Sequence, residues 1–538
     1  MSAIRIAQAT SLALFLASTA ALAGNPAVTV AIDATANRHA INPNIYGVAF
    51  ASKADLKALN APLHRMGGNS MTDYNWSVNA QNLAQDWYFE SYPEQSATPG
   101  EEADTFVSQS KQAGAAPMLT VPLAGWVAKL GNKRSILPSF SVAKYGAQCG
   151  VDPYDGDAGN GLMPDCSTPI TGNDPTDAYV RDSAAHEQKW IRHLIKTWGK
   201  SSKGGVGYYL MDNEPSIWFS THRDIHPIGP HADEYRDKVI AEAAAIKSLD
   251  PKAKIVAPEE WGWEAYFYSG YDQQYAASHG YCCWPDHDGM QGGMDYIPWL
   301  LGQWKNAGHP VDVLSVHFYP QGGEDGNDVS TATQLLRNRS TRQLWDPSYT
   351  SESWIGAPVY LIPRLKGWIA DNYYADTPVA ITEYNWGAEN HINGATTQAD
   401  IYGIFGQQGL DMATRWTVPD DSTPTFKAMQ MYRNYDGAGS TFGDTSVYSK
   451  VPNPDNLSAF AALRGGDGAM TVMVISKVLS GATPISLKLG HFTKAGTAKV
   501  WRLTSSNAIQ ALPDLAWSKG TLADTAPAQS ITLYVLPR

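Results

Sequence analysis

Pro378-Val379-Ala380-Ile381-Thr382-Glu383-Tyr384-Asn385-Trp386 is an apolar, β-branched run that ends in a carboxylate with aromatics behind it. A short run of this kind reads as a buried strand. Glutamate is almost never fully buried without a partner, so packing alone does not explain one at the strand's end. Val206-Gly207-Tyr208-Tyr209-Leu210-Met211-Asp212-Asn213-Glu214-Pro215 has the same form. Six further apolar runs, at 45–50, 63–69, 116–122, 254–258, 311–317 and 409–416, alternate with helical segments. Eight short strands separated by helices predict a parallel (β/α)8 barrel, whose site lies at the C-terminal ends of the strands. Both glutamates fall at that end.

Beyond about residue 440 the pattern changes to short strands between turn signals, at 457–463, 470–478, 485–489, 498–503 and 531–536, which reads as a β-sandwich. The alternating stretch 27–33 precedes the barrel. Left unpaired it would be an aggregation-prone edge, so it is expected to join the sandwich. The fold class expected is therefore α/β, a (β/α)8 barrel over 45–440 with a second, smaller all-β sandwich domain. Both chain ends, 24–44 and 441–538, form that second domain. No internal repeat and no Pro/Thr/Ser-rich linker interrupts the chain.

Residues 1–23 have the form of a secretory leader: Arg5, an apolar run from Ser11 to Ala20, then Ala21-Leu22-Ala23 as a small-residue cleavage site. The run is shorter than the ~20 residues a membrane span needs. The expected location is outside the cytoplasm, extracellular or periplasmic. The chain carries a net charge of −12, which disfavours nucleic acid and anionic membrane as partners and suits a neutral substrate. Its 18 tryptophans and 27 tyrosines offer flat apolar faces of the sort that stack on sugar rings, though aromatics also fill cores. A monomer is expected. Of the four cysteines, Cys149 and Cys166 bracket a Gly/Asp-rich loop that one bridge can staple. The neighbours Cys282 and Cys283 either form a rare vicinal bridge or stay free.

Cleaving a glycosidic bond takes one carboxyl kept protonated and another kept ionised. Glu214 follows Asn213, which can hydrogen-bond the sugar hydroxyl beside the anomeric carbon. Glu383 precedes Tyr384, and Tyr319, in His317-Phe318-Tyr319-Pro320, is a phenol within reach. A phenol donating to a carboxylate holds it ionised, which makes Glu383 the expected nucleophile and Glu214 the expected acid/base. Glu259 and Glu260 also follow a strand and are read as binding or structural groups. His317 is read as a hydrogen-bonding neighbour. Trp76, Trp126, Trp218, Trp261, Trp263, Trp386 and Trp416 fall at or after strand ends, where a cleft would be lined; the alternative for each is core packing. Asp152, Asp155, Asp157 and Asn160 offer oxygen ligands for a structural calcium in a Gly-rich loop, against the alternative of a solvated turn.

Asn213-Glu214-Pro215 ending the fourth strand and Thr382-Glu383-Tyr384 ending the seventh resemble the retaining clan A glycosidases. More closely, Met66-Gly67-Gly68-Asn69, the loop 152–161, Glu260-Trp261-Gly262-Trp263 and Thr382-Glu383-Tyr384-Asn385-Trp386 resemble glycoside hydrolase family 44. The resemblance covers nearly the whole chain after the leader. It implies an endo-acting β-1,4-glucanase, often active on xyloglucan, that works with retention. It also implies Glu214 as acid/base, Glu383 as nucleophile, Arg65, Asn213 and Tyr319 in supporting positions, and a structural calcium. The rivals are the same machinery acting on mannan or xylan, and a non-catalytic polysaccharide-binding protein.

Overall fold

The computed structural model describes residues 24–538; residues 1–23, read above as a secretory leader, lie outside them. Strand β1 (Val28–Asp33) comes first. Eight βα units follow: β2 (Gly47–Ala49) and α1 (Lys53–Leu59), β3 (Leu63–Met66) and α2 (Glu101–Ala113), β4 (Ala116–Val121) and α3 (Ala184–Trp198), β5 (Tyr208–Met211) and α4 (Ala232–Leu249), β6 (Lys254–Glu260) and α5 (Tyr296–Asn306), β7 (Val313–Phe318) and α6 (Leu361–Asn372), β8 (Val379–Tyr384) and α7 (Ile392–Gln408), and β9 (Met412–Arg415) and α8 (Pro424–Arg433). Strands β2 to β9 pair in parallel and in chain order, and β9 closes on β2. This is a (β/α)8 barrel. The strands read as continuous apolar runs because a parallel sheet is covered on both faces.

The rest of the chain supplies β10 (Thr445–Lys450), β11 (Leu457–Leu463), β12 (Met470–Ser476), β13 (Thr483–Gly490), β14 (Gly496–Leu503), β15 (Gln510–Trp517), β16 (Thr521–Ala526) and β17 (Ser530–Leu536). With β1 and the short strand His39–Ala40 they form one ten-stranded sheet, in the order β15-β14-β17-β12-β11-β10-β1-β13-β16. Strand β1 sits between β10, antiparallel, and β13, parallel, so both chain ends build the second domain. Alternate residues of β12 feed two cores. Met470, Val472 and Val474 join Val30, Leu487 and Tyr534 inside the sandwich, whereas Met473 and Ile475 face the barrel. With both faces covered, β12 shows no hydrophobic alternation.

Helix α7 is the seam between the two domains and is buried along nearly its whole length. Gly403 allows the close approach, since a Cβ there would come within 2.0 Å of the Phe460 ring. Lys477 Nζ, from just beyond β12, donates to Asp400 Oδ2 on α7 at 2.5 Å, and both side chains are buried. Breaking such a pair leaves an uncompensated charge and costs about 3–5 kcal/mol. Cys149 is bridged to Cys166, and Cys282 to its neighbour Cys283. Among the described residues no helix is long and apolar enough to cross a membrane.

Candidate active site

Five strand ends supply the central residues. After β5 the backbone takes positive φ at Asp212 (68°) and Glu214 (46°), and Pro215 opens a short 3₁₀ turn. Positive φ is costly for a residue with a Cβ, of order 1–3 kcal/mol, and persists only where surroundings enforce it. The Asp212 carboxylate provides that restraint: it accepts from Thr72 Oγ1 (2.5 Å), the amides of Asn213 (2.7 Å) and Ala124 (3.1 Å), and the amide of Leu123. Glu214 N donates to Glu259 O at 3.0 Å. Glu259 too has positive φ, 60°, beside a register shift between β6 and β7. The turn thus aims the Glu214 side chain over the barrel mouth.

One hydrogen-bonded network joins the three glutamates. Arg65, buried at the end of β3, donates Nη1 to Glu383 Oε1 (2.6 Å) and Nη2 to Asn213 Oδ1 (3.0 Å) and Glu259 Oε2 (3.2 Å). Tyr319 donates its hydroxyl to Glu383 Oε2 at 2.7 Å. His317 bonds Glu214 Oε1 through Nδ1 (2.9 Å) and Glu259 Oε2 through Nε2 (3.3 Å). Glu214, His317 and Glu383 each place one donor atom within 4.8 Å of the other two.

Burial and charge then sort the protons. Burial pushes Glu214 up, only partly offset by the His317 bond, and the Glu383 charge adds to the rise. Burial also pushes Glu259 up, but the His317 bond and Arg65 outweigh it and leave it below the ordinary glutamate value. Burial depresses His317, yet Glu383 and the bonds to Glu214 and Glu259 raise it to about 9, which favours the imidazolium; its Nε2 also lies 3.3 Å from Arg65 Nη2. Two cations therefore face three carboxyl groups, and Glu214 is the one whose environment favours the proton. Glu260, also buried, is pushed to about 8 chiefly by burial and accepts from Ser216 Oγ (2.5 Å).

Of the residues expected in the site, Arg65, Asn213 and Tyr319 meet Glu214 and Glu383 directly. Trp416 lies beside them, its ring 5.7 Å from the Arg65 guanidinium, edge-on to exposed Phe50 and over Gly68. Gly68 has φ 84°, and a Cβ there would meet the Trp416 ring at 2.6 Å, so glycine is required on both counts. Trp261 is half-buried and donates Nε1 to Gln273 (3.1 Å); Trp263 packs against Phe267 and Arg364. Three expectations need correction. Trp126 is buried beneath the Arg181 guanidinium, 3.8 Å from its ring. Trp386 is buried against Phe318 and bonds Ser340. Trp218 is buried too. A buried ring has no face left for a sugar; Trp76, packed against His186 and His193 of α3, is only partly buried.

Two exposed tryptophans were missed in the sequence. Trp87, 40% exposed, lines a cavity of about 800 Å³ with Asp86, Tyr88, Phe219 and Arg223. Asp86 accepts from Asn69 Nδ2 (3.1 Å), and Asn69 Oδ1 accepts from Asn213 Nδ2 (3.2 Å), so the cavity opens off the central network. Trp354, 56% exposed, bonds Gln321, two residues beyond Tyr319. Both lie well inside long strand-to-helix loops rather than at strand ends. Asp86-Trp87-Tyr88-Phe89, a polar residue leading three aromatics, is the one signal that could have marked the first.

The expected calcium ligands are hydrogen-bonded within their own loop. Asp155 and Asn160 each accept from the backbone N–H two residues on (2.9 and 3.1 Å), and Asp157 accepts from Ala143 N and Ser141 Oγ (both 2.7 Å). Those oxygens are occupied in turns and a helix cap. Asp152 lies instead beside Glu90, whose carboxyl is pushed to about 8, first by burial and then by Asp152 and Asp155. Glu90 Oε1 is buried without a hydrogen-bond partner. An all-oxygen pair of this kind fits calcium. Asp152 Oδ1 likewise accepts from Tyr154 N (3.2 Å), and Glu90 adds a further carboxyl beside the expected ligands Asp152 and Asp155.

Residues 80–322 match the model of glycoside hydrolase family 44. Endoglucanase A of Paenibacillus lautus is 31% identical over 503 residues, spanning 88% of this chain and 67% of that protein. Among solved structures, CelM2, described as a bifunctional glucanase-xylanase from a metagenome library, superposes with a TM-score of 0.94 at 56% identity, covering 95% of this chain and 99% of that one. A family 44 xyloglucanase of Paenibacillus polymyxa gives 0.79 at 29% identity, covering 95% and 100%.

Proposed function

The chain belongs to glycoside hydrolase family 44 and is a glycoside hydrolase, and on that premise we propose that it is an exported, retaining endo-β-1,4-glucanase with Glu383 as nucleophile and Glu214 as acid/base. The observation that carries the reading is the meeting of Glu214 and Glu383 oxygens within 4.8 Å across His317. Direct attack needs carboxyls roughly 5–5.5 Å apart, whereas an inverting enzyme leaves about 6.5–9.5 Å for a water.

Each step falls to a named group. Glu214, whose buried carboxyl favours the proton, gives it to the glycosidic oxygen as the leaving sugar departs. Glu383, oriented by Arg65 and Tyr319, attacks the anomeric carbon and forms a glycosyl-enzyme ester. Water then attacks that carbon, Glu214 takes its proton, and Glu383 is released. Asn213 has its oxygen committed to Arg65 and Gly68 N and one amide N–H to Asn69, which leaves the second N–H as the donor toward the sugar hydroxyl beside the reacting carbon. Trp87 on one side and Trp354 on the other are exposed faces on which sugar rings of a long chain can stack. Glu90 and Asp152 would hold a calcium ion that staples the long loop and takes no part in the reaction. Export rests on the leader's composition.

Xylan is the second reading, favoured by the relative described as a glucanase-xylanase. Reducing-sugar release from carboxymethyl cellulose, xyloglucan, xylan and mannan tests both. Fast release from the two glucans, with slower release from xylan, is expected. Mannan as the fastest substrate would overturn the specificity, and no release from any polymer would leave a binding protein.

A further inference from the structure

We propose that Asp182, His186 and Glu187, backed by Glu242 from the neighbouring helix, form a binding site for one divalent transition-metal ion of the zinc type, outside the catalytic cleft. Asp182 ends the long loop that follows β4, His186 and Glu187 lie in the first turn of α3, and Glu242 lies on α4. His186 Nδ1 is 2.8 Å from Asp182 Oδ1 and 2.9 Å from Glu187 Oε1. These three donor atoms all lie within 4.8 Å of one another, which is the crowding of a coordination shell.

Two further oxygens point to a ligand. Glu187 is fully buried and its Oε2 has no hydrogen-bond partner. Glu242 is 1% exposed, its Oε1 is likewise without a partner, and it forms no ion pair among the described residues. An ordinary histidine–carboxylate pair does not account for this. One imidazole stands against three carboxyl groups, and buried carboxyls without a cation are expensive. A divalent ion supplies the missing charge. One imidazole nitrogen with carboxylate oxygens is a donor set that zinc accepts, whereas calcium takes oxygen alone. The His186 side chain, 23% exposed, leaves an entry path from solvent.

The ion would act as a clasp. The two feet of the long loop meet here: Asp182 N donates to Gly125 O at 3.0 Å, and Arg181 covers Trp126. Metal binding would tie that base to α3 and α4, and so stabilise the loop that carries the Cys149–Cys166 bridge and the Glu90-facing Asp152.

The test uses the full chain freed of metal by a chelator and titrated with Zn²⁺. One zinc ion per chain is expected, with a rise in Tm by mass action. A zinc-edge anomalous peak in crystals of the unaltered protein should lie about 2.0–2.2 Å from the His186 nitrogen and the carboxylate oxygens. Glu242→Gln and His186→Gln should weaken binding, His186→Gln by more than the roughly 10–100-fold that an outer partner costs. Turnover on a soluble polysaccharide should stay unchanged in both. The proposal is overturned if zinc does not bind, if His186→Gln binds it as tightly, or if the anomalous peak lies on His317 or on Glu90.

Discussion

The two ends of the barrel interior are built from the same seven strands, one pleat apart, and have opposite chemistry. Toward the N-terminal end, Leu63, Met118, Leu210, Val256, Val313, Ala380 and Met412 close into a dry apolar layer. Two residues further along most of those strands, on the same face, stand Arg65, Thr120, Asp212, Ser315, Thr382 and Thr414. Two hydroxyls in this second layer are spent on neighbouring strands, Thr120 donating to Met66 O (2.9 Å) and Thr414 to Thr382 O (2.5 Å), while Thr382 donates upward to Glu259 Oε1 (2.9 Å). Above it lies the network of Arg65, Glu214, Glu259, His317 and Glu383. The apolar layer gains stability by leaving water. The upper layers give up such gain, take on positive φ at three positions and bury five charged or ionisable groups. The difference separates what holds the fold from what does the chemistry.

Substitutions at the two ends should therefore fail differently. Glu383→Gln should lower kcat on every polysaccharide by about 10⁴-fold or more while polymer binding persists, read from initial rates and pull-down on insoluble glucan. Leu210→Ala, in the apolar layer one pleat below Asp212, should cost about 2–5 kcal/mol of stability and leave kcat of the folded fraction unchanged. A Leu210→Ala enzyme that stays stable but loses turnover would dissolve the comparison. The smallest effect is expected at Glu260, which lies at the level of the site but outside its network. Its folded value of about 8 stands above that of an unfolded glutamate. The stabilising protonated form is thus fully present below the unfolded value and is lost as pH rises toward 8. Glu260→Gln should flatten the fall in Tm between pH 5 and 8, gaining relative to the unaltered protein at the alkaline end. A parallel fall in both proteins would place the titration elsewhere.

The barrel and the two glutamates were legible because local pattern carries them: each strand is an apolar run, and each carboxylate interrupts one where packing gives no reason. The clasp around them was not. Arg65 and Glu383 are 318 residues apart, and only closure of the barrel sets them side by side. Sequence position gave the strand end of each tryptophan but not the direction of its ring, which is why Trp126 and Trp386 proved to be packing while Trp87 and Trp354 went unread. The loop 152–161 is ambiguous for a related reason. Aspartates and asparagines that cap turns have the same short spacing as oxygen ligands, and the group that adds a further carboxyl, Glu90, lies in another loop. In β12, burial on two faces erased the alternation that would have told its two sides apart.

The central claim is that Glu383 attacks carbon directly, with Glu214 too close to leave room for an inverting water. Proton NMR of the anomeric signals during the first minutes of hydrolysis of a reduced β-1,4-gluco-oligosaccharide tests it most directly. The β-anomer of the product should accumulate first and only later equilibrate with the α-anomer. Early accumulation of the α-anomer would contradict the two-glutamate displacement and require a water between Glu214 and Glu383.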